Sequence, residues 1–336
     1  KDAQEALHMQ NVCHGAPNLY FLFWAMGIQN LKPNCELVYI IPRSWTSGAY
    51  FESFRKFLFD NCVITDIHLF GSRDKVFDKE SVLQETMIIK VVKKKESPSK
   101  IKITSSLTSD FSNIVCFDAD YNVVVSDNQY VYLVTIKNEV GILSKINQQK
   151  NTLKTDNLPM KTGIVVDFRS TELLRDKEGE ETFPLFYSQN IKNGKVIWPV
   201  GKKKEFICTD RMSYLQENCN YLFVKRFTSK EEKRRLQCGI YLSEEYPQYK
   251  YISTQNKVNY IKCDSVAEAY GLYVILNSSI YDSYYRILNG STQVNSTEIN
   301  NMPVPPRNII TEMGNDMMGK DLTEDNCNRI IEKWIK

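Results

Sequence analysis

A chain of 336 residues, 42% of them hydrophobic, is too long for one core, since single cores stop growing near ~250 to 300 residues, and two domains are expected. Its 43 Lys and Arg against 40 Asp and Glu leave a formal charge of +3, which excludes capture of a polyanion by overall attraction and leaves that role to local clusters. Nine cysteines, an odd number without a C-x-x-C pair, exclude a disulfide scaffold and read as reduced thiols.

The opening KDAQEALHMQ has no apolar signal core, and no later run approaches the ~18 apolar residues of a membrane span. A soluble, cytoplasmic protein is expected, with further residues upstream of Lys1. Cys13 and His14, with His8 further off, lack the paired ligands of a zinc site, so no metal is expected. Pro17 then opens NLYFLFWAMGIQNL, an apolar helix on which Leu19, Phe23 and Met26 recur at helical spacing and which is expected to be buried on several sides. ELVYIIP (36 to 42) reads as a central strand covered on both faces. FESFRKFLFDN (51 to 61) is an amphipathic helix, and VITDIHLF (63 to 70) is a second strand. This alternation is the pattern of an α/β sheet with helices on its faces.

VLQETMIIKVV (82 to 92) is a third strand. The loop before it is too short for a helical crossover, so this strand is expected to run antiparallel to the second. The loop carries Phe77 and lies at the end of the sheet where ligands bind in such folds. If ELVYIIP is central, it needs a neighbour on each edge, and residues 1–34 offer no strand for one of them. That partner is expected from residues outside this chain.

APNLYFLFWAMGIQNLKPNCELVYIIPRSW, then FRKFLFDN, VITDIHLF and VLQETMIIK, resemble the segments that follow the catalytic motif in gamma-class N6-adenine DNA methyltransferases of type II restriction-modification systems, of the PstI and BsuBI kind. KTGIVVDFRSTELL, KRFTSKEEKRR and LNSSIYDSYYRILNGSTQVN resemble their target recognition region, so that the likeness covers most of residues 10–310. The resemblance implies the C-terminal part of a Rossmann-like methyltransferase sheet, strands five to seven with the last antiparallel, over residues 1–100. It implies a mixed α+β target recognition domain over 101–315, followed by a C-terminal helix over 316–336. It also implies S-adenosylmethionine as methyl donor, double-stranded DNA as substrate, and an adenine flipped out of the helix. The glycine-containing cofactor loop and the Asn-Pro-Pro-Tyr motif of the family do not occur here, and the Pro-Pro of PVPPRN (303 to 308) reads as an extended proline segment. The catalytic motif and the N-terminal half of the methyltransferase domain are therefore expected upstream or on another chain, and 1–336 alone is expected to be inactive. A cognate restriction endonuclease is a further expected partner. By the same resemblance Phe77 is one wall of the flipped-base pocket, with a loop phenylalanine folded into the core as the alternative. Arg43 and Trp45 line the same pocket, and Asn18 and Tyr20 lie near the cofactor, Tyr20 reading equally as helix packing.

Beyond VVKKKESPSK (91 to 100), read as a basic linker, short β-rich runs dominate: YNVVV, YVYLVTI, GIVVDF, KVIWPV, YLFVKRF, GIYL and KVNYIKC. SVAEAYGLYVILNSSIYDSYYRIL (265 to 288) reads as one or two helices opened by a capping box of Ser265 and Glu268. Between 202 and 235 ten Lys or Arg stand against five acids, interleaved with aromatics, which suits either a phosphate-tracking surface or a solvated face. Candidate DNA contacts are Lys225, Arg226, Arg234 and Arg235 from this run. Arg286 and the polar loop residues Asn289, Ser291, Thr292, Gln293 and Asn295 complete the set, although Asn289-Gly290 is also a plain turn signal. The second functional class is a non-catalytic DNA-binding or specificity subunit of a restriction-modification system.

Overall fold

The computed structural model describes residues 12, 18–71, 85–229, 231–289 and 291–335. It divides into two compact units, Lys1–Ser144 with Arg286–Ser291, and Lys145–Tyr285 with Thr292–Lys336.

In the first unit, helix α1 (Leu19–Asn30) starts where the Asn18 side chain accepts the Tyr20 N–H at 3.4 Å. It ends where Lys93 Nζ donates to the carbonyls of Ile28 and Gln29, groups that a helix end leaves unpaired. Strand β1 (Glu36–Pro42), helix α2 (Glu52–Asn61), β2 (Val63–Phe70), β3 (Thr86–Val92), β4 (Lys100–Ser106) and β5 (Val115–Asp120) follow. The sheet order is β1-β3-β2-β4-β5. β3 is antiparallel to both β1 and β2, as the short connection required, so β1 and β2 run in the same direction with β3 between them. β4 joins β2 in parallel.

The open edge of β1 agrees with a neighbour lying outside this chain, while its burial, the docked face of α1 and the extent of the unit differ from expectation. β1 is an edge strand among the described residues, with alternating burial that leaves Val38 and Ile40 exposed. On α1 the residues packed inward are Phe21, Trp24, Ala25 and Ile28, while Leu19 and Phe23 are 69% and 60% exposed and Met26 is exposed as well. The helix is apolar nearly all round, so its periodicity does not select which stripe docks. Finally, 91–100 is not an interdomain linker: β4 and β5 extend the same sheet and the unit runs on to Ser144. Lys and Ser at 91–100 form a turn between strands of one sheet. YNVVV is a short helix, Tyr121–Val124, and YVYLVTI holds only a bridge from Val131 to Val125, because burial of these apolar residues does not require a ladder.

Among the described residues the second unit holds two larger sheets and one two-stranded ladder. One has the order Ile191–Lys192, Lys195–Val196, Cys238–Tyr241, Asn220–Lys225, Val258–Cys263, Lys161–Thr162. The other has Gln216–Glu217, Tyr251–Thr254, Thr182–Phe186, Phe206–Cys208, Leu174–Arg175. An aromatic core of Phe186, Trp198, Phe223 and Tyr241 packs between strands, with the Phe223 and Tyr241 rings stacked at 5.5 Å. Among the described residues the helices that follow are α3 (Val266–Asn277), α4 (Ser279–Leu288), the short Ser296–Asn300, α5 (Arg307–Met317) and α6 (Glu324–Ile331). Ser265 caps α3 as expected, accepting the Glu268 N–H at 3.1 Å, while the Glu268 carboxylate returns to the N–H of Asp264 at 2.7 Å. α3 and α5 meet through glycines. A Cβ on Gly271 would lie 1.8 Å from the Ile310 carbonyl oxygen, and one on Gly314 would lie 1.6 Å from that of Ala267. α6 packs on both helices, so the C-terminal helix is part of this unit and not a separate element. Pro303–Val304 is extended and pairs with Asn151–Thr152. Among the described residues no helix is long and apolar enough to cross a membrane.

Candidate functional site

In the first unit the chemistry expected at the C-terminal ends of β1 and β2 is built around Arg43. Its side chain is 8% exposed as a residue and its donors are engaged by the sheet: Nε donates to the Thr86 carbonyl at 3.1 Å, and Nη2 donates to the Phe70 carbonyl. Nη1 lies 3.7 Å from the Glu85 carboxylate. Arg43 therefore fastens the last residue of β2 and the first of β3 to the end of β1. It is a clamp at the end of the sheet. Trp45 is fully buried, with its ring edge-on to Trp24 at 5.0 Å and to Phe54 at 6.3 Å, so no face is open to a base. Directly after β1 the chain turns into a 3-10 helix, Ser44–Thr46, and the side chains of Arg43 and Trp45 lie inward. Arg55 completes the turn, donating from Nη1 to the carbonyls of Trp45 and Gly48. Phe77 lies outside the described residues.

The Asn18 oxygen is used in capping α1, and the half-buried Tyr20 hydroxyl sits 3.4 Å from Ser44 Oγ, with burial pushing its acidity well below that of a free phenol. A group at the same end of the sheet was not anticipated. His68 Nδ1 is 2.9 Å from Thr104 Oγ1 and Nε2 is 3.1 Å from Ser106 Oγ, and the ring lies 4.6 Å from Phe70 and 5.1 Å from Phe111. Desolvation lowers its pKa from the ordinary 6.5. Among the described residues no cluster of His, Cys, Asp or Glu has the arrangement of a metal site.

In the second unit the basic run divides. Arg235 is 0% exposed: its N–H donates to Asp282 Oδ1 at 2.8 Å, its Nε to Thr228 Oγ1 at 3.2 Å, and its guanidinium lies over Tyr285. Arg234 donates to the carbonyls of Leu276 and Ser278 and pairs with Glu324 at 3.0 Å. Both are internal ties between the run and the helices. Consecutive positions in an irregular loop have no fixed alternation, so charge alone does not tell which arginines turn inward. Lys225 and Arg226 remain half-buried near the surface. Lys225 Nζ donates to Gln237 Oε1 at 2.9 Å and lines a cavity of about 630 Å³ with Lys192, Lys233 and Tyr273. Arg226 donates to the Asn256 carbonyl at 3.0 Å and to Gln293 Oε1 at 3.3 Å.

The loop after α4 is a turn first. Asn289 is fully buried, and its side-chain oxygen accepts the Ser291 N–H at 2.9 Å. Ser291 is half-buried, Thr292 is exposed, and the Asn295 N–H donates to the Tyr285 hydroxyl. Arg286 lies half-buried on α4. The structure thus brings Arg226, Thr292 and Gln293 together through a bridge between Phe227 and Gln293, and it leaves Asn289, Arg234 and Arg235 inside. Also at this place, and missed in the sequence, is the turn Gln255–Lys257. Its side chains give no motif, and only the fold sets it beside Arg226.

Residues 2–77 match the family model of the Eco57I restriction-modification methylase. The chain is 32% identical over 350 residues to the type II methyltransferase M.PstI of Providencia stuartii, a match that covers all of this chain and 68% of that protein. It is 37% identical over 305 residues to the type II methyltransferase M.BsuBI of Bacillus subtilis, covering 88% of this chain and 61% of that one. Among solved structures, 94% of the chain superposes on 48% of the type IIL restriction-modification enzyme MmeI, determined in complex with DNA, with a TM-score of 0.56 at 10% identity, a likeness of fold alone. Mixed sheets with these counterparts define a class, the methyltransferase proteins of restriction-modification systems. Within it, the chain belongs to the type II methyltransferase family of M.PstI and M.BsuBI. It spans about two thirds of the length of these relatives.

Proposed function

We propose that this chain is the target-recognising part of a site-specific DNA adenine-N6 methyltransferase. The observation that carries the reading is the match to M.PstI along the whole chain. In this reading S-adenosylmethionine supplies the methyl group, double-stranded DNA is the substrate, and a cognate restriction endonuclease works on the same sequence. β1, β3 and β2 are the fifth, seventh and sixth strands of a Rossmann-like sheet. The exposed edge of β1 and the exposed stripe of α1 are then covered by the earlier strands and helices of the same domain, which the greater length of the relatives supports. Phe77 is one wall of the flipped-base pocket, on a segment whose flanks, Phe70 and Thr86, are both held by Arg43. The second unit reads the duplex through Arg226, Thr292 and Gln293.

The test is methylation by the full-length protein. Tritium-labelled S-adenosylmethionine and a plasmid substrate are incubated with it, and the product DNA is digested to nucleosides. Label in N6-methyladenine at one recurring sequence is the expected result. Label in cytosine overturns the adenine assignment, and no label with full-length, folded protein favours a non-catalytic specificity subunit.

A further inference from the structure

Two phenylalanines of the second unit face solvent: Phe168 is 74% exposed and Phe227 is 46% exposed. Each carries an arginine against its ring, with the Arg169 guanidinium 5.4 Å from the Phe168 centroid and that of Arg226 5.6 Å from the Phe227 centroid. The two pairs are far apart in sequence, yet both are fastened to one turn, Gln255–Lys257. On one side Val165 donates to the Thr254 carbonyl at 3.1 Å and accepts from the Asn256 N–H at 2.8 Å. On the other, the Arg226 N–H donates to the Lys257 carbonyl at 3.0 Å and its Nη1 donates to that of Asn256. Lys257 itself is exposed.

Neither loop is slack. Gly163, just before the first, approaches the turn so closely that a Cβ would stand 2.2 Å from the Gln255 carbonyl oxygen. Arg169 and Ser170 both donate their N–H groups to the Val166 carbonyl, closing a tight turn around Phe168, and the Asp167 carboxylate accepts the Phe168 N–H at 3.1 Å. Phe227 is held by its bridge to Gln293 and by the Val294 N–H donating to the Arg226 carbonyl at 2.7 Å. Single exposed apolar side chains are ordinary on protein surfaces; these two are set apart by the arginine against each ring and by the one turn to which both are tied. A protein partner would call for a broad apolar patch. Single rings, each backed by a guanidinium and tied to a turn that carries an exposed lysine, suit bases that alternate with phosphates.

We propose that the Phe168–Arg169 and Phe227–Arg226 pairs grip duplex DNA from the two sides of the Gln255–Lys257 turn. The rings stack against or wedge between bases, and the guanidiniums neutralise neighbouring phosphates. This rests on the reading of the second unit as DNA-binding. The test uses the full-length protein and a duplex bearing the methylated sequence, with 2-aminopurine placed in turn at each adenine in and around it. Wild type is expected to raise the fluorescence at positions besides the target base. Phe168→Ala and Phe227→Ala should each erase part of that profile and weaken binding about five- to a hundredfold, the range for loss of one base-aromatic stack. Their salt slopes and melting temperatures should match wild type. Phe168→Trp and Phe227→Trp should keep both profile and affinity, and Arg169→Ala should lower the salt slope by about 0.9. If wild type binds DNA with a salt-dependent affinity and both Ala variants keep its profile and affinity, the inference is overturned while the DNA-binding reading stands. If wild type shows no salt-dependent binding, both fall together.

Discussion

Arg43 and Phe70 are joined directly, Nη2 of the arginine donating to the carbonyl of the phenylalanine, so that the end of β1 is tied to the end of β2 with β3 between them. Nε makes the same kind of bond to Thr86, and Nη1 stands beside Glu85. Replacing Arg43 with Leu leaves two carbonyls and a poorly exposed carboxylate without their cation. The expected cost is about 3 to 5 kcal/mol, the usual result of breaking a buried pair from one side. Urea denaturation measures it. A wild-type midpoint with impaired methylation would mean instead that Arg43 faces the substrate.

Arg235 and Arg226 should separate structure from binding. Arg235→Ala is expected to lower stability by about 3 kcal/mol, because its buried guanidinium contacts Thr228 and Tyr285, and to leave the salt dependence of DNA binding unchanged. Arg226→Ala should melt close to wild type and reduce the salt slope by about 0.9. The pair of variants is compared by thermal melting and by filter-binding titration at several salt concentrations. The reverse pattern would return Arg235 to the DNA surface.

Gly271→Ala and Gly314→Ala each drive a methyl group into the backbone of the opposite helix, so α3 and α5 have to separate. The expected loss is about 3 kcal/mol or more, above the ~1 to 3 kcal/mol of ordinary overpacking, since a carbonyl cannot swing aside as a side chain can. Gly141 lies in the helix Lys137–Ile146 with nothing within 4 Å of a built Cβ. There the same substitution should stabilise by about 0.5 to 1 kcal/mol. Chemical denaturation of the three variants gives the ranking, and a harmless Gly314→Ala would contradict the close crossing.

His68 predicts a pH dependence. Desolvation sets its folded pKa below the unfolded value of 6.5, so as pH falls through that value the unfolded chain binds a proton before the folded one does. Its contribution is fully present above pH 6.5 and is lost progressively below it, down to the folded pKa. His68→Gln keeps a polar side chain between Thr104 and Ser106 but does not titrate. Melting temperatures from pH 7.5 to 5 should fall less steeply in this variant than in wild type; parallel curves would show that His68 does not carry the effect.

The direction of β3 followed from the shortness of its connection, and the cap at Ser265 from a side chain acting on its own helix. Such features are local and are readable without the fold. The inward turn of Trp45, Arg234 and Arg235 is not readable in this way, for the opposite reason. Whether a large or charged side chain turns inward depends on partners distant in the chain, such as Trp24 for the first and Asp282 for the last. The end of the first unit was obscured because β4 pairs with β2 across residues whose lysines and serines suggested a linker. Phe168 lies within a segment that resembles the family, but its sequence neighbours say nothing of its exposure, which depends on the tie of its loop to the Gln255–Lys257 turn.

The place of β3 also governs how the first unit is assembled. β1 and β2 never touch as neighbours; each has its hydrogen-bonding partner in a strand synthesised after both. A nascent chain that has emerged only as far as Phe70 therefore holds two strands that must stay apart, and pairing them with each other would be a trap. The sheet closes only on insertion of residues 86–92, a late and non-local event of the sort that makes folding slow and leaves edges open to misassembly in the interval.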